Sequence, residues 1–488
     1  MKIMKNNLLL LLLISAVILS ACSKNFIERA PLSSATTDVL YKTDKDFQDA
    51  VIGAYAALRN QYANMWQFGD LRGDDAFIQV SNQPTSTNVD LFSINSSDAL
   101  LSNTWANYYI VINLCNNILD KIAKADAAIV KNKDRYIGEA EFLRALAYFD
   151  MVRIFGDVQM ITKVPTIQDV AKAPRTPVAT VYSSVIIKDL LDAAAKLPLV
   201  CTGTEVGRAT SGAAKAILGK AYLTIKDFPN AEATLQTLTA APYTYALLPN
   251  YNDLFDYTKN EHHSEYIFDI EYEEGLGGLG SPWTNGFMPN VTNLLNYYNI
   301  KGGFGENICP TISFVNLWQS ADKRKDISVQ CCGVWKNPTT GAIATFSSQT
   351  SQSYTMKYVT AVATQNDSRA NWKVIRYADV LLMYAEALNE NNKTVAAMTP
   401  LNSIRTRAGL PTFAGLTQDQ ARDSIALERR FELSFEGHRW FDLVRTGKAL
   451  TFCAPVGMKD YMTVFPVPLT QVKVINNAAI FSQNQGYN

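Results

Sequence analysis

The densest group of residues able to do chemistry lies near the C-terminus of this 488-residue chain. Acidic and basic side chains recur there at spacings of three and four: Glu428, Arg429, Arg430, Glu432, Glu436, Arg439, Asp442 and Arg445. Carboxylates at such spacing could supply general acids and bases, but the same spacing also brings opposite charges together on one helix face. Because aromatic side chains such as Phe435 and Trp440 alternate with the charges, we favour a buried helix with paired charges over a catalytic centre.

A second acidic group lies beside a glycine-rich stretch. Glu271, Glu273 and Glu274 could imitate the carboxylate pair of a glycoside hydrolase, although a solvated turn fits such close clustering better. Residues 275–280 match the GxGxxG pattern of a dinucleotide site. Pro282 follows where that fold needs a helix, and no βαβ pattern surrounds the stretch. We therefore predict a mobile loop.

Few residues are available for a metal site or for nucleophilic catalysis. The histidines are His262, His263 and His438, and beyond Cys22 the cysteines are Cys115, Cys201, Cys309, Cys331, Cys332 and Cys453. They show no CxxC spacing, so we predict no metal site, no cofactor and no catalytic residue. An oxidising compartment would permit disulfides, in pairings that the sequence leaves open. Adjacent Cys331 and Cys332 are expected to bridge only with strain.

The N-terminus has the pattern of an exported protein. Lys2 and Lys5 precede an apolar run over residues 8–19, which is too short to span a bilayer comfortably. Leu-Ser-Ala-Cys at residues 19–22 resembles a bacterial lipobox, in which Cys22 receives a lipid and becomes the new N-terminus. An ordinary secretory signal that ends beside a cysteine is the alternative.

Composition and periodicity predict a mainly α protein in successive regions. We place a lipoprotein signal peptide at residues 1–21, a lipidated N-terminus and tether at 22–43, an N-terminal helical region at 44–244, a loop-rich ligand-binding insertion at 245–370 and a C-terminal helical region at 371–488. Basic and acidic residues number 45 each, without a basic stripe, so nucleic acid is not an expected partner.

Tetratricopeptide-like helix pairs are predicted in both helical regions. Residues 218–222 match the Leu-Gly-x-x-Tyr core of a tetratricopeptide first helix. Residues 227–230 then supply a turn, and Ala231 is expected to open the second helix. The helices over residues 377–389 and 394–406 are predicted to form a similar pair, with regular helix resuming at about residue 374. Several such pairs favour an α-α superhelix over an unrelated helical hairpin.

Blocks across most of the chain resemble the SusD/RagB family. The run over residues 428–445, which ends in Glu-Gly-His-Arg-Trp-Phe-Asp-Leu-Val-Arg, is similar to the family's hallmark run. Further blocks resemble the family at residues 141–150, 153–157, 377–387, 401–410, 465–468 and 483–487. The combination is specific, whereas no single block would be.

The resemblance implies a non-catalytic lipoprotein of the outer membrane, anchored through Cys22 and facing the cell exterior. Such a protein captures a glycan and closes over a SusC-like TonB-dependent transporter. A peptide or other nutrient is an alternative ligand, and a surface glycoside hydrolase or a pure tetratricopeptide scaffold are rivals of other classes. Residues 23–28 contain only Glu28 as an acid, whereas surface-displayed members often carry several there. A lipoprotein that faces the periplasm is therefore the alternative orientation.

Two loop segments combine aromatic rings with hydrogen-bonding groups, as a glycan site requires. The predicted ligand-binding residues are Trp66, Asp70, Arg72 and Asp74 in the first loop, and Trp283, Asn285, Tyr297 and Tyr298 in the second. This prediction rests on composition and loop position, because the family's ligand-binding loops vary. Each tryptophan suits a core position at least as well.

Overall fold

A computed structural model describes residues 41–79, 83–259, 261–337, 339–345 and 353–487. Within these ranges the chain is mainly helical, which confirms the predicted fold class. Cys22, the signal peptide and most of the tether lie outside the described residues. None of the helices in these ranges combines the length and the apolar character needed to cross a membrane.

The N-terminal part is a succession of helices packed side by side. They are α1 Asp44–Tyr62, α2 Pro84–Asp90, α3 Ala99–Lys124, α4 Lys133–Phe155, α5 Ile167–Lys172, α6 Val178–Val181, α7 Ile187–Lys196, α8 Ser211–Thr224 and α9 Phe228–Thr237. Helix α1 starts where the periodicity begins, because the Thr43 side chain accepts a hydrogen bond from the Asp46 amide. Its buried face includes Phe47, Val51 and Leu58, as an apolar stripe at helical spacing predicts.

The helix pair predicted near residue 220 is present as α8 and α9. The second helix begins at Phe228 rather than Ala231, because the Asp227 side chain accepts from the Asn230 amide and caps it. Gly219 lets the two helices approach closely: a Cβ at this position would lie 2.5 Å from Leu235 Cδ2.

Short elements make up the middle of the chain. The helices are α10 Trp283–Phe287, α11 Thr292–Tyr297, α12 Ile312–Val315 and α13 Lys325–Ser328. The strands of the described ranges are β1 Ala76–Phe77, β2 Val158–Gln159, β3 Arg175–Thr176, β4 Tyr266–Ile270, β5 Cys309–Pro310, β6 Val334–Lys336, β7 Ile343–Thr345 and β8 Trp372–Arg376. They form antiparallel pairs: β1 with β5, β2 with β3, β4 with β8 and β6 with β7. The strand before the glycine-rich stretch, β4, therefore belongs to an antiparallel ladder and not to the parallel βαβ unit of a dinucleotide site.

Helices return in the C-terminal part. They are α14 Tyr377–Glu390, α15 Thr394–Ala408, α16 Gln418–Glu432, α17 Arg439–Arg445, α18 Ala449–Cys453 and α19 Leu469–Ile475. The prediction that helix resumes at about residue 374 is wrong, because β8 occupies residues 372–376 and all five of its side chains are buried. The pair α14 and α15 follows at the predicted position.

The cysteines of the described ranges include one bridged pair. Cys331 and Cys332 form a disulfide despite their adjacency. The backbone accommodates it with Cys332 at a φ of 73°, in the left-handed region that non-glycine residues rarely adopt. Free thiols are found at Cys115, Cys201, Cys309 and Cys453.

A pair of glycine substitutions tests the close approach of α8 and α9. We expect Gly219→Ala to lower the free energy of unfolding by about 1–3 kcal/mol, because the added methyl group overpacks the buried Leu235. The measurement is urea unfolding followed by circular dichroism.

Gly53→Ala is the matched control, since Gly53 also lies within a helix but has no atom within 4 Å of its added Cβ. It should raise the free energy of unfolding by about 0.5–1 kcal/mol through helix propensity. Equal effects of the two substitutions would contradict the packing argument.

Candidate functional site

An open cavity of about 590 Å³ lies among the loops of the middle region. It is lined by Asn252, Asp253, Phe255, Asp256, Tyr257, Thr258, Glu274, Tyr298, Ile327, Met356, Val359, Thr360, Ala361 and Arg369. Apolar and aromatic side chains therefore share the wall with hydroxyl, amide and charged groups. This mixture is typical of small-molecule sites.

Hydrogen bonds between distant loops hold the cavity walls together. The Tyr257 hydroxyl donates to the Lys357 carbonyl at 3.1 Å, and the Met356 amide donates to the Ile327 carbonyl at 2.9 Å. Three separate segments of chain are thereby fixed against one another. The site is preformed, which lowers the entropy lost on binding.

Tyr297 and Tyr298 form an aromatic platform with Trp335 beside the cavity. The ring centroids of the two tyrosines are 4.8 Å apart, and those of Tyr297 and Trp335 are 5.4 Å apart. Tyr297 is 40% exposed, and its hydroxyl lies 2.7 Å from the Thr339 hydroxyl. A supported and exposed ring of this kind can stack on the C–H face of a sugar.

The charges at the cavity are paired with one another. Lys259 lies at the rim, with its Nζ 2.7 Å from Asp253 Oδ1 and 3.4 Å from Asp256 Oδ2. Arg369 pairs with Glu274. The rim thus carries three carboxylates and two cations, and both cations are already engaged.

The segment predicted as the first loop is buried, and the loop prediction is wrong for part of it, because a π-helix covers Gln67–Leu71. Trp66 is 6% exposed and packs edge-on against Phe287. The guanidinium of Arg72 stacks over the Phe92 ring, and burial lowers the pKa of Arg72 to about 10. Burial likewise raises the pKa of Asp70 well above its ordinary value, as expected for a carboxyl removed from water.

The fourth predicted residue of this segment, Asp74, is also bound to other side chains of the protein. Asp74 forms ion pairs with Arg430 and Arg439, at 2.7 Å and 2.6 Å between the closest atoms. The loop therefore braces the C-terminal charged run. These contacts argue against direct ligand binding by the loop.

The second predicted loop divides in two. Trp283 is 1% exposed and packs against Tyr272 and Trp372. Asn285 donates two hydrogen bonds of 2.8 Å to the carbonyls of Lys301 and Gly303, and so it holds a loop in place. Of the eight predicted residues, only Tyr298 lines the cavity, where it is half-buried, and its neighbour Tyr297 is exposed.

The residues that sequence analysis missed come mainly from one segment, 252–258. Phe255, Tyr257 and the acids Asp253 and Asp256 line the cavity. Alternating aromatic, acidic and amide residues in a loop-rich region, the pattern used to choose the other loops, could have identified this segment. Glu274 was noted in the sequence only as a hydrolase-like acid.

Of the three glutamates beside the glycine-rich stretch, Glu271, Glu273 and Glu274, only Glu274 lines the cavity. Glu271 and Glu261 both accept hydrogen bonds from Asn371. Burial raises the pKa of Glu261 to about 7, which would suit a general acid, but Glu261 is not among the residues that line the cavity. At the cavity itself, hydrogen bonds from Thr258 lower the pKa of Asp256.

Two family models match separate parts of the chain. A family model described as the SusD family matches residues 332–486, which include the hallmark run. A second model, described as starch-binding and associating with the outer membrane, matches residues 25–223. The chain belongs to the SusD/RagB family.

Individual SusD-like proteins align with almost the whole chain. Two from Formosa agariphila are 27% and 28% identical, covering 94% and 96% of this chain and 96% and 97% of their own lengths. Among solved structures, a laminarin-binding SusD-like protein is 25% identical with a TM-score of 0.79, over 92% of this chain and 100% of its own.

In this SusD/RagB protein, the hallmark run contributes Glu432 and Glu436 to a buried ion-pair network. The Arg376 guanidinium lies 2.6 Å from Glu432 Oε1, 2.8 Å from Glu436 Oε2 and 2.8 Å from Glu265 Oε1. Lys357 Nζ lies 2.7 Å from Glu436 Oε1. Burial alone would raise the pKa of Glu436, but Arg376 and Lys357 outweigh it and lower the pKa to about 2. The buried carboxylates of the run are therefore paired with cations, which is the arrangement expected of a structural role.

Glu436→Gln tests this structural role. We expect the free energy of unfolding to fall by about 3–5 kcal/mol, because Arg376 and Lys357 would face an uncharged amide in the protein interior. Asp49→Asn is the matched control, since it breaks an exposed pair with Lys45 and should cost less than about 1 kcal/mol. Urea unfolding at neutral pH measures both.

Acid titration of stability gives a second readout. The Glu436 pKa is lowered in the folded state, so its contribution is complete above about pH 4.3 and is lost as the pH falls towards 2. The wild-type protein should lose stability more steeply in that interval than Glu436→Gln. Parallel pH profiles would show that Glu436 is not stabilised as a carboxylate.

Proposed function

We propose that this protein is a non-catalytic surface lipoprotein that binds a glycan and delivers it to a SusC-like TonB-dependent transporter. The observation that carries the proposal is the tyrosine-lined cavity beside the Tyr297–Tyr298–Trp335 platform in a SusD/RagB protein. Its rings match sugar C–H faces, and its carboxylate and hydroxyl groups match sugar hydroxyls. The fold shared with a laminarin-binding SusD-like protein supports the same class of ligand.

In this proposal Cys22 carries the lipid and residues 22–43 form the tether to the outer membrane. The lipobox-like sequence at residues 19–22 supports the anchor. The family description that mentions the outer membrane supports the location, and the cell exterior is the proposed side.

The paired charges of the cavity support binding without bond cleavage. Glycoside hydrolysis needs a protonated carboxyl group on one side of the bond and an ionised one on the other. Each lining carboxylate, Asp253, Asp256 and Glu274, instead has a cationic partner.

Affinity electrophoresis tests the glycan site. The chain from residue 23 onward, run through gels containing single polysaccharides, should be retarded by at least one of them. Tyr298→Ala should weaken the apparent affinity about tenfold or more, because the substitution removes the ring that lines the cavity. Tyr384→Ala, a partly exposed tyrosine of helix α14, is the matched control and should leave retardation unchanged.

The outcomes separate the candidate functions. Release of reducing sugar during incubation would indicate a hydrolase instead of a binding protein. Absence of retardation by every polysaccharide would reject the glycan ligand and direct attention to peptides or other nutrients. Retardation that survives Tyr298→Ala would place the site elsewhere.

Cys22→Ala tests the anchor in the full chain. The wild-type protein should incorporate labelled palmitate and sediment with the outer membrane, whereas Cys22→Ala should lose both properties because the acceptor thiol is gone. Cys201→Ala, which removes a partly exposed thiol of the folded body, should keep both. Cleavage by protease added to intact cells would support the proposed outward orientation, and protection would contradict it.

A further inference from the structure

The charge arrangement of the cavity bears on which glycans can enter it. Among the described residues that line the cavity, three are carboxylates and one, Arg369, is a cation. Lys259 adds a second cation at the rim. The site therefore presents more negative than positive charge to any ligand that enters.

Each of the two cations already has a carboxylate partner that offsets its charge. Arg369 is held by Glu274. Lys259 donates to Asp253 and lies within ion-pair distance of Asp256. Recognition of a carboxylate or sulfate normally uses a cation that can offer hydrogen bonds to it. An anionic sugar would have to share a cation with a protein carboxylate and lie close to that like charge.

A neutral sugar meets no such obstacle. Its hydroxyl groups can donate to carboxylate oxygens that the cations leave free, and each carboxylate has room for several hydrogen bonds. Its C–H faces can pack on Tyr298 and on the Phe255 and Met356 side chains of the wall. Both kinds of contact form while the ion pairs stay intact.

We infer that the site selects uncharged glycans and rejects those carrying uronate or sulfate groups. This inference rests on the proposed function and narrows it to a substrate class. One unit charge brought close to the acidic rim corresponds to about a tenfold loss of affinity or more per charged sugar. Salt should leave binding of the neutral ligand unchanged, because stacking and hydroxyl contacts are not screened.

The test compares laminarin, starch and arabinoxylan with alginate, polygalacturonate and carrageenan in affinity gels at 20 and 500 mM NaCl. The wild-type chain from residue 23 onward should be retarded by a neutral polysaccharide equally at both salt concentrations, and by none of the anionic ones. The double variant Asp253→Asn/Glu274→Gln removes the carboxylate partner of Arg369 and leaves Lys259 with Asp256 alone. It should gain retardation by an anionic polysaccharide, and 500 mM NaCl should abolish that gain.

Three results would overturn the inference in distinguishable ways. Retardation of the wild type by an anionic polysaccharide, relieved by Tyr298→Ala, would reject the neutral class and leave glycan capture standing. Lack of retardation by all six would reject glycan capture as well. A folded double variant, with a wild-type circular dichroism spectrum, that still ignores every anionic polysaccharide would show that the carboxylates do not set the selectivity.

Discussion

Arg376 joins acidic side chains that reach it from widely separated parts of the chain. Glu265 precedes β4, whereas Glu432 ends α16 and Glu436 follows it. In the interior each of these charges depends on the others, because an unpaired buried ion costs several kcal/mol. Lys357 adds the loop region to the same network through Glu436. Met356, which precedes Lys357 in the chain, lines the cavity. The position of the cavity wall therefore depends on the ion pairs beneath it.

The helical parts of this fold could be predicted because their information is local. Apolar spacing of three and four located α1, and the tetratricopeptide-like pattern located α8 and α14, to within a few residues. Strand β8 was missed for the opposite reason. Five consecutive buried residues fit a buried helix and a buried strand equally well, and the deciding partner, β4, lies about a hundred residues earlier in the chain.

The candidate site was only partly predictable, because composition does not show which aromatic residues are buried and which are exposed to solvent. Trp283 and Tyr298 belong to the same loop-rich region, yet Trp372 and Tyr358 bury the first. The second lies at the end of a short helix, above a separate small core that includes Trp335. The cavity segment 252–258 has the same composition as the predicted loops. Long-range packing alone made this segment the wall of the cavity.

Burial explains why the same residue types serve two purposes in this protein. Arg376 and Glu432 are 2% and 0% exposed, so their pairing is strong, fixed and closed to ligands. At the cavity, Lys259 and Asp253 are 53% and 33% exposed, and because water screens such pairs they contribute little to stability. A sugar hydroxyl can therefore share these carboxylates at little cost to folding, while the buried network keeps the wall in place. A protein that must hold a ligand and then release it gains from this division, because the contacts that ligand exchange disturbs are not the contacts that stabilise the fold.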